Sequence, residues 1–225
     1  MGEAGKEISI ERLAEIFLEL QGKGANNINL VTPTHFVPQI AEALRQAKKN
    51  GLSLPVVYNT SSYEKVETLQ MMEGLVDIYL PDLKYQSSEL SSRYSHAADY
   101  FEQATAAIAE MVRQVGEPVF EGEEMLLQRG VIVRHLVLPG QVEDSKAVIR
   151  YLYETYGDRI YISIMNQYTP LAEMEDYPEI NRKLTEEEYD EVVDYAIELG
   201  VENGFIQEGE TAEESFIPAF DLQGI

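Results

Sequence analysis

The chain has 225 residues, 44% of them hydrophobic and 25% charged, a balance that excludes disordered, collagen-like and low-complexity polymers. Forty acidic residues against seventeen lysines and arginines give a net charge of −23, with no basic cluster to displace phosphate counterions, which argues against nucleic acid and anionic membrane as partners. The absence of any cysteine excludes disulfides, thiolate nucleophiles and thiolate-held metal centres from the chain itself.

A chain of this length folds as one large domain, burying roughly 70–75% of its unfolded surface. Apolar runs are short, as in Val131–Val133 and Leu136–Leu138, so none spans a bilayer. The opening MGEAGKEISIER has neither an apolar stretch nor a small-residue cleavage site, and a cytoplasmic protein is expected.

In chain order, Ser9 is an N-cap for a helix with Ile10, Leu13, Phe17 and Leu20 on one face, ended by Gly22 and Gly24. A strand follows at 27–32 (NINLVT). Pro38 opens a second helix with Ile40, Ala41, Leu44 and Ala47 inward, closed at Gly51. Val56–Tyr58 is a strand, then a helix runs through Val66, Leu69 and Met72 to Gly74, and 77–80 is a third strand. A long connection at 84–98 leads to a helix over 99–115. A short hairpin or irregular excursion is expected at 118–128, and Val131–Leu138 is the clearest strand. A helix over about 144–156 precedes a strand at 159–165. Thr185 and Glu188 form a capping box, with Leu184 and Tyr189 as its staple, for a helix to Gly200. A strand near 205–207 and an aperiodic tail at 216–225 complete the chain.

Helices alternating with apolar strands predict an α/β fold, a parallel sheet with helical cover, either doubly wound or curling into a barrel. Neither a 20–50-residue repeat nor a Pro/Gly/Ser linker divides it, so 1–225 reads as one domain. The chain opens on a helix, where a βα architecture opens on a strand.

Ligands of parallel βα folds bind at the carboxyl ends of the strands. Those ends carry Thr32-Pro33-Thr34-His35, Asn59-Thr60-Ser61-Ser62, Asp82-Leu83-Lys84, Arg134-His135, Asn166-Gln167-Tyr168-Thr169 and Glu208. Any one such segment is better explained by the polarity of strand ends that meet water and cap helices, and only the recurrence of six favours a site. In an extended segment Asp82 and Lys84 share a face, suiting a zwitterionic amino acid whose amine meets the acid and whose carboxylate meets the base. A local ion pair explains the spacing equally well. Arg134 and His135 face opposite ways within an apolar strand, and His135 is read as a packed, hydrogen-bonded histidine. Histidines 35, 96 and 135 are too scattered for a metal site. Gly22–Asn27 lacks the third glycine of a dinucleotide loop, and no phosphate-loop or GxSxG sequence occurs.

The segment Val76–Tyr85 (VDIYLPDLKY) resembles the DLK-bearing segment of radical S-adenosylmethionine (SAM) activating enzymes, the pyruvate formate-lyase activating family. NINLVTPTHF at 27–36, AEMVRQVG at 109–116 and VIVRHLVLPG at 131–140 look like a branch of uncharacterised relatives, as do 161–170 and 216–225. The resemblance implies a partial (β/α)6 TIM-like barrel with parallel strands and S-adenosylmethionine across its top. It also implies a 4Fe-4S cluster held by a CxxxCxxC loop after the first strand, whose reduction of the sulfonium yields a 5′-deoxyadenosyl radical. That loop has no counterpart here, so the chain is expected to lack the family's first strand and cluster segment and to be inactive alone.

By motif position the resemblance places Thr32, Thr34 and His35 against the cofactor's amine, where the family's glycines and carboxylate are replaced. It places Asn59, Thr60 and Ser61 at the ribose or methionine carboxylate, Asp82 and Lys84 at the methionine end, Arg134 within the later strand, and Asn166 near adenine or ribose. A protein substrate and an electron donor such as flavodoxin or ferredoxin are implied partners. An unpaired sheet edge predicts disorder near residues 1–8 or self-association. Alternatives are a non-catalytic module that binds SAM or a protein on the same rim, and a cluster-independent lyase using Lys84 as a Schiff base.

Overall fold

A computed structural model describes residues 6–122, 126–170 and 175–206. The tail, Glu208, the acidic run at 208–214 and part of the N-terminal segment expected to be disordered lie outside these residues. Helix α1 (Ile10–Gly22) begins as the sequence predicts, with the Ser9 hydroxyl accepting from Arg12 N at 3.1 Å. Strand β1 (Ile28–Val31) leads through a 3₁₀ turn into α2 (Val37–Lys49), then β2 (Val56–Thr60), the short α3 (Val66–Gln70) and β3 (Ile78–Pro81). The connection after Lys84 contains an additional helix, α4 (Ser88–Ser95), ahead of α5 (Tyr100–Val115). A hairpin of β4 (Val119–Glu121) and β5 (Leu126–Leu136) follows, then α6 (Val142–Tyr156), β6 (Tyr161–Met165), α7 (Glu186–Leu199) and β7 (Gly204–Ile206).

The strands form one seven-stranded sheet in the order β1-β2-β3-β5-β6-β7, with β4 antiparallel to β5 and all other pairings parallel. Among the described residues the sheet is open, with β1 and β7 at its edges. Its long strand β5 starts five residues earlier than the apolar run 131–138 suggests, because the hairpin pairs Leu126 with Glu121 and Arg129 with Val119. Gly130 makes this join possible. Its φ is +141°, and a Cβ there would sit 2.9 Å from Pro118 Cα.

Period-two alternation assigns the two faces of the sheet. Ile28, Leu30, Tyr58, Tyr79, Val131, Val133, Ile162 and Ile164 belong to one continuous apolar core with Ala41, Leu44, Ile108, Met111, Ile149 and Leu152 of the helices. The opposite face carries Asn29, Val31, Asn59, Leu80, Asp82, Ile132, Arg134, Ser163 and Phe205, which are half-buried or exposed. Val57 and Ile78 are buried on that face as well, outside the helix-covered core. The open face ends at the strand tips in polar groups. The capping box of α7 forms as predicted, Thr185 Oγ1 accepting from Glu188 N and the Glu188 carboxylate from Thr185 N.

Candidate functional site

The register of the central strands brings Asn59, Asp82, Lys84 and Arg134 together. Asp82 lies beside Arg134 in a parallel bridge, continuing the pairing of Ile78 with Gly130, and Leu83 N donates to Arg134 O at 2.9 Å. Arg134 Nη2 stands 2.5 Å from Asp82 Oδ1 and donates to Asn59 Oδ1 at 2.7 Å. Lys84 Nζ stands 3.9 Å from Asp82 Oδ2, a loose contact for a side chain 42% exposed. Asp82 and Lys84 therefore do share a face. The finding that spacing alone does not give is that the guanidinium stands against Asp82 as an ion pair, with Oδ1 buried and accepting no hydrogen bond of good geometry. Burial pushes the Asp82 carboxyl above its ordinary value, while Arg134 and Lys84 pull against that rise. The cluster of one carboxylate and two cations carries an excess positive charge within a chain of net charge −23.

Two side chains of the helix-covered layer hold this segment from behind. The His135 ring is fully buried and its Nδ1 lies 2.8 Å from Leu83 O. A carbonyl only accepts, so the proton sits on Nδ1 and Nε2 is a bare lone pair with no partner. Burial lowers its pKa to about 4, against the pull of that hydrogen bond, so the ring is neutral near pH 7. The Tyr100 hydroxyl, on the first turn of α5, accepts from Lys84 N at 3.1 Å and lies 2.9 Å from Ser61 O and 3.0 Å from Asp82 O. Asp144, in the first turn of α6, accepts from Ser87 N at 2.7 Å and from Gln86 N at 3.2 Å, fixing the exit of the same segment.

The loop after β2 is anchored separately. Glu64, 5% exposed, accepts from the Tyr58 hydroxyl at 2.8 Å and from the Thr60 hydroxyl, beneath the sheet tip. Ser62 between them adopts a left-handed φ of 66°. Burial, reinforced by the Glu64 charge, raises the Tyr58 pKa well above that of a free phenol, so its hydroxyl stays a donor.

Of the residues singled out from the sequence, Asn59, Asp82, Lys84 and Arg134 converge. Thr60 is directed to the helix-covered side and its hydroxyl is committed to Glu64, which leaves its backbone as its contribution to the rim. Ser61 is half-buried and its carbonyl is held by Tyr100. Thr32 is exposed with φ 51° and donates its N–H to Asn59 O at 2.9 Å; Thr34 is half-buried, and His35 is exposed on the 3₁₀ turn. Asn166 is half-buried at the end of β6. His135 is the packed, hydrogen-bonded histidine expected. Sequence reasoning missed Tyr100 and Glu64, one on a helix face and the other in a polar loop. Their functions depend on partners 18 and 39 residues away in one case, and on a turn beneath a strand in the other.

The donor set does not fit an iron–sulfur cluster. The chain has no cysteine, and among the described residues no group of three or more His, Asp and Glu side chains is placed to hold a metal ion. It leaves donors open to a carboxylate such as that of an amino acid: Arg134 Nε is buried without an acceptor, Nη1 has no partner among the described residues, and the Lys84 side chain is 42% exposed. Lys84 has no apolar enclosure of the kind that activates a Schiff-base lysine. No described helix is long and apolar enough to cross a membrane.

No protein-family profile matches the chain. Over 175 residues, 76% of its length, it is 30% identical to an uncharacterized protein of Methanocaldococcus jannaschii and covers 46% of that protein. It thus spans about half the length of the curated relative it matches. Among solved structures, 81% of the chain superposes on 99% of a domain of pyruvate-formate lyase-activating enzyme from Bacteroides vulgatus, with a TM-score of 0.58 at 12% identity. It also superposes on Streptococcus suis SuiB bound to S-adenosylmethionine, with a TM-score of 0.53 at 14% identity, over 96% of this chain and 48% of that one. At these identities the likeness is one of fold, that of the open, mostly parallel sheet among the described residues.

Proposed function

We propose that this chain is the ligand-holding barrel of a radical SAM-type protein related to the pyruvate formate-lyase activating enzymes, and that its rim binds the amino-acid end of S-adenosylmethionine. The observation that carries the reading is the Asn59–Asp82–Lys84–Arg134 cluster at the strand tips. Support comes from the shared fold, including that of a protein solved with S-adenosylmethionine bound. Arg134 and Lys84 would meet the methionine carboxylate, Asn59 would orient the guanidinium, and His135 with Tyr100 would keep the segment 82–84 in place. When bound, S-adenosylmethionine supplies a sulfonium centre open to one-electron reduction. The cysteine-free donor set holds no cluster, so no reductive step is assigned to these residues, and the chain alone is a binding body without cleavage activity.

A protein substrate and a flavodoxin- or ferredoxin-type donor belong to this reading as partners of the whole protein. Self-association through the β1 edge also belongs to it. There, Ile28 N and Thr32 N pair with β2, which turns the backbone groups of Asn29 and Val31 outward. Titration calorimetry tests the central claim: saturable micromolar heat with S-adenosylmethionine, lost in Arg134→Gln and Lys84→Ala, is expected. A flat titration of the folded wild-type chain overturns it.

A further inference from the structure

We infer that Asp82 is an internal stand-in for the ligand's carboxylate, so that the rim is a carboxylate receptor indifferent to the ligand's ammonium group. The inference rests on the proposed ligand site and specifies which part of the ligand it reads.

Three observations carry it. First, Asp82 is already ion-paired: Arg134 Nη2 is 2.5 Å from Oδ1, although that buried oxygen accepts no hydrogen bond of good geometry, and Lys84 is the second cation near it. A carboxylate already paired with a guanidinium has less to offer an incoming ammonium, which would have to displace that charge pair. Second, the cations are under-used. Arg134 Nε is buried with no acceptor, and its Nη1 has no partner among the described residues. Lys84 has only the 3.9 Å contact. A planar guanidinium presents a fork made for two carboxylate oxygens, and here only one edge of it is used. Third, the backbone that carries Asp82 is held by Leu83 N to Arg134 O and by the Tyr100 and His135 contacts, whereas the Asp82 side chain is 21% exposed, with its Oδ1 buried against Arg134. None of these bonds involves the carboxylate, so turning the side chain away from Arg134 breaks no backbone contact. A ligand carboxylate then takes its place, exchanging one ion pair for another, with Lys84 joining from the solvent side.

Three small thioethers separate the possibilities: methylthiopropionate carries the carboxylate alone, methylthiopropylamine the ammonium alone, and methionine both. Binding is read by calorimetry and by the side-chain N–H resonances of Arg134. Methylthiopropionate and methionine are expected to bind within a few-fold of each other, and the amine about tenfold or more weakly. Asp82→Asn, which removes the competing charge and keeps the shape, is expected to strengthen methylthiopropionate binding about tenfold. Arg134→Gln abolishes binding in either background. Loss of stability cannot imitate the gain in Asp82→Asn, because a damaged fold does not bind more tightly.

Weaker carboxylate binding in folded Asp82→Asn, or preference for the amine, overturns the inference even if S-adenosylmethionine binds the wild type. Carboxylate binding without S-adenosylmethionine binding leaves the inference standing and removes the proposed function. Absence of binding by all probes overturns both.

Discussion

The two faces of the sheet are built from the same strands and do different work. On the helix-covered face, Tyr58, Tyr79, Val131, Val133 and Ile162 are almost completely buried in a continuous apolar core. On the open face, one residue away along each strand, stand Asn59, Leu80, Arg134 and Ser163, all half-buried. The alternation places the core and the proposed ligand site on opposite sides of one backbone, so a substitution should disturb mainly one of them. The exceptions are residues such as His135 and Tyr100, which lie in the covered layer but touch the backbone of the open-face cluster.

Substitution deep in the covered face breaks this comparison most severely. Leu44→Ala, at a position with no exposure, is expected to cost about 2–5 kcal/mol in denaturant unfolding. It should leave ligand affinity unchanged in the fraction that stays folded; a loss below about 1 kcal/mol would mean that α2 packs loosely.

Acid titration sharpens the comparison at the junction between the faces. The His135 pKa falls from 6.5 in the unfolded chain to about 4 in the folded one, so between those values the unfolded state binds more protons. Its contribution to stability is complete above pH 6.5, declines as pH falls, and levels off below about 4, a total of roughly 3 kcal/mol. In His135→Gln that part of the pH slope should vanish; an unchanged slope would place the acid sensitivity elsewhere.

Glu64→Leu tests the anchor beneath the β2 tip. It strands the Tyr58 and Thr60 hydroxyls and is expected to cost about 1–3 kcal/mol. Ligand affinity should fall as well, because the β2 tip that carries Asn59 loses its anchor; unaltered affinity would show that β2 pairing alone orients Asn59. The smallest effect belongs to the open edge. Val31→Thr, at a side chain 66% exposed, should change unfolding free energy by less than about 0.5 kcal/mol. A larger loss would reveal that something covers that edge.

Local chemistry made much of the fold legible. Ser9 and the Thr185–Glu188 box mark helix starts because their hydroxyls cap N–H groups within three residues. Apolar runs at 28–31, 56–60 and 161–165 are short and rich in β-branched residues, and each forms a strand. Helix α4 was hidden because SELSSRYS has few apolar residues to set a period, and its start is fixed by a Ser87 cap within a polar stretch. The full length of β5 was hidden because its first half, LLQRG, is stabilised by pairing with β4 instead of by its own pattern.

The sequence by itself determined the alternation of helices and strands, the cysteine-free donor set and the shared face of Asp82 and Lys84, since each depends on composition or on neighbours within a few residues. Only the tertiary structure decided that Arg134 reaches Asn59 across 75 residues of chain, that it engages Asp82, and that Tyr100 and His135 brace the segment between them. Those contacts follow from strand order and register, which are set by the packing of the whole core and leave no periodic trace in any single stretch of sequence.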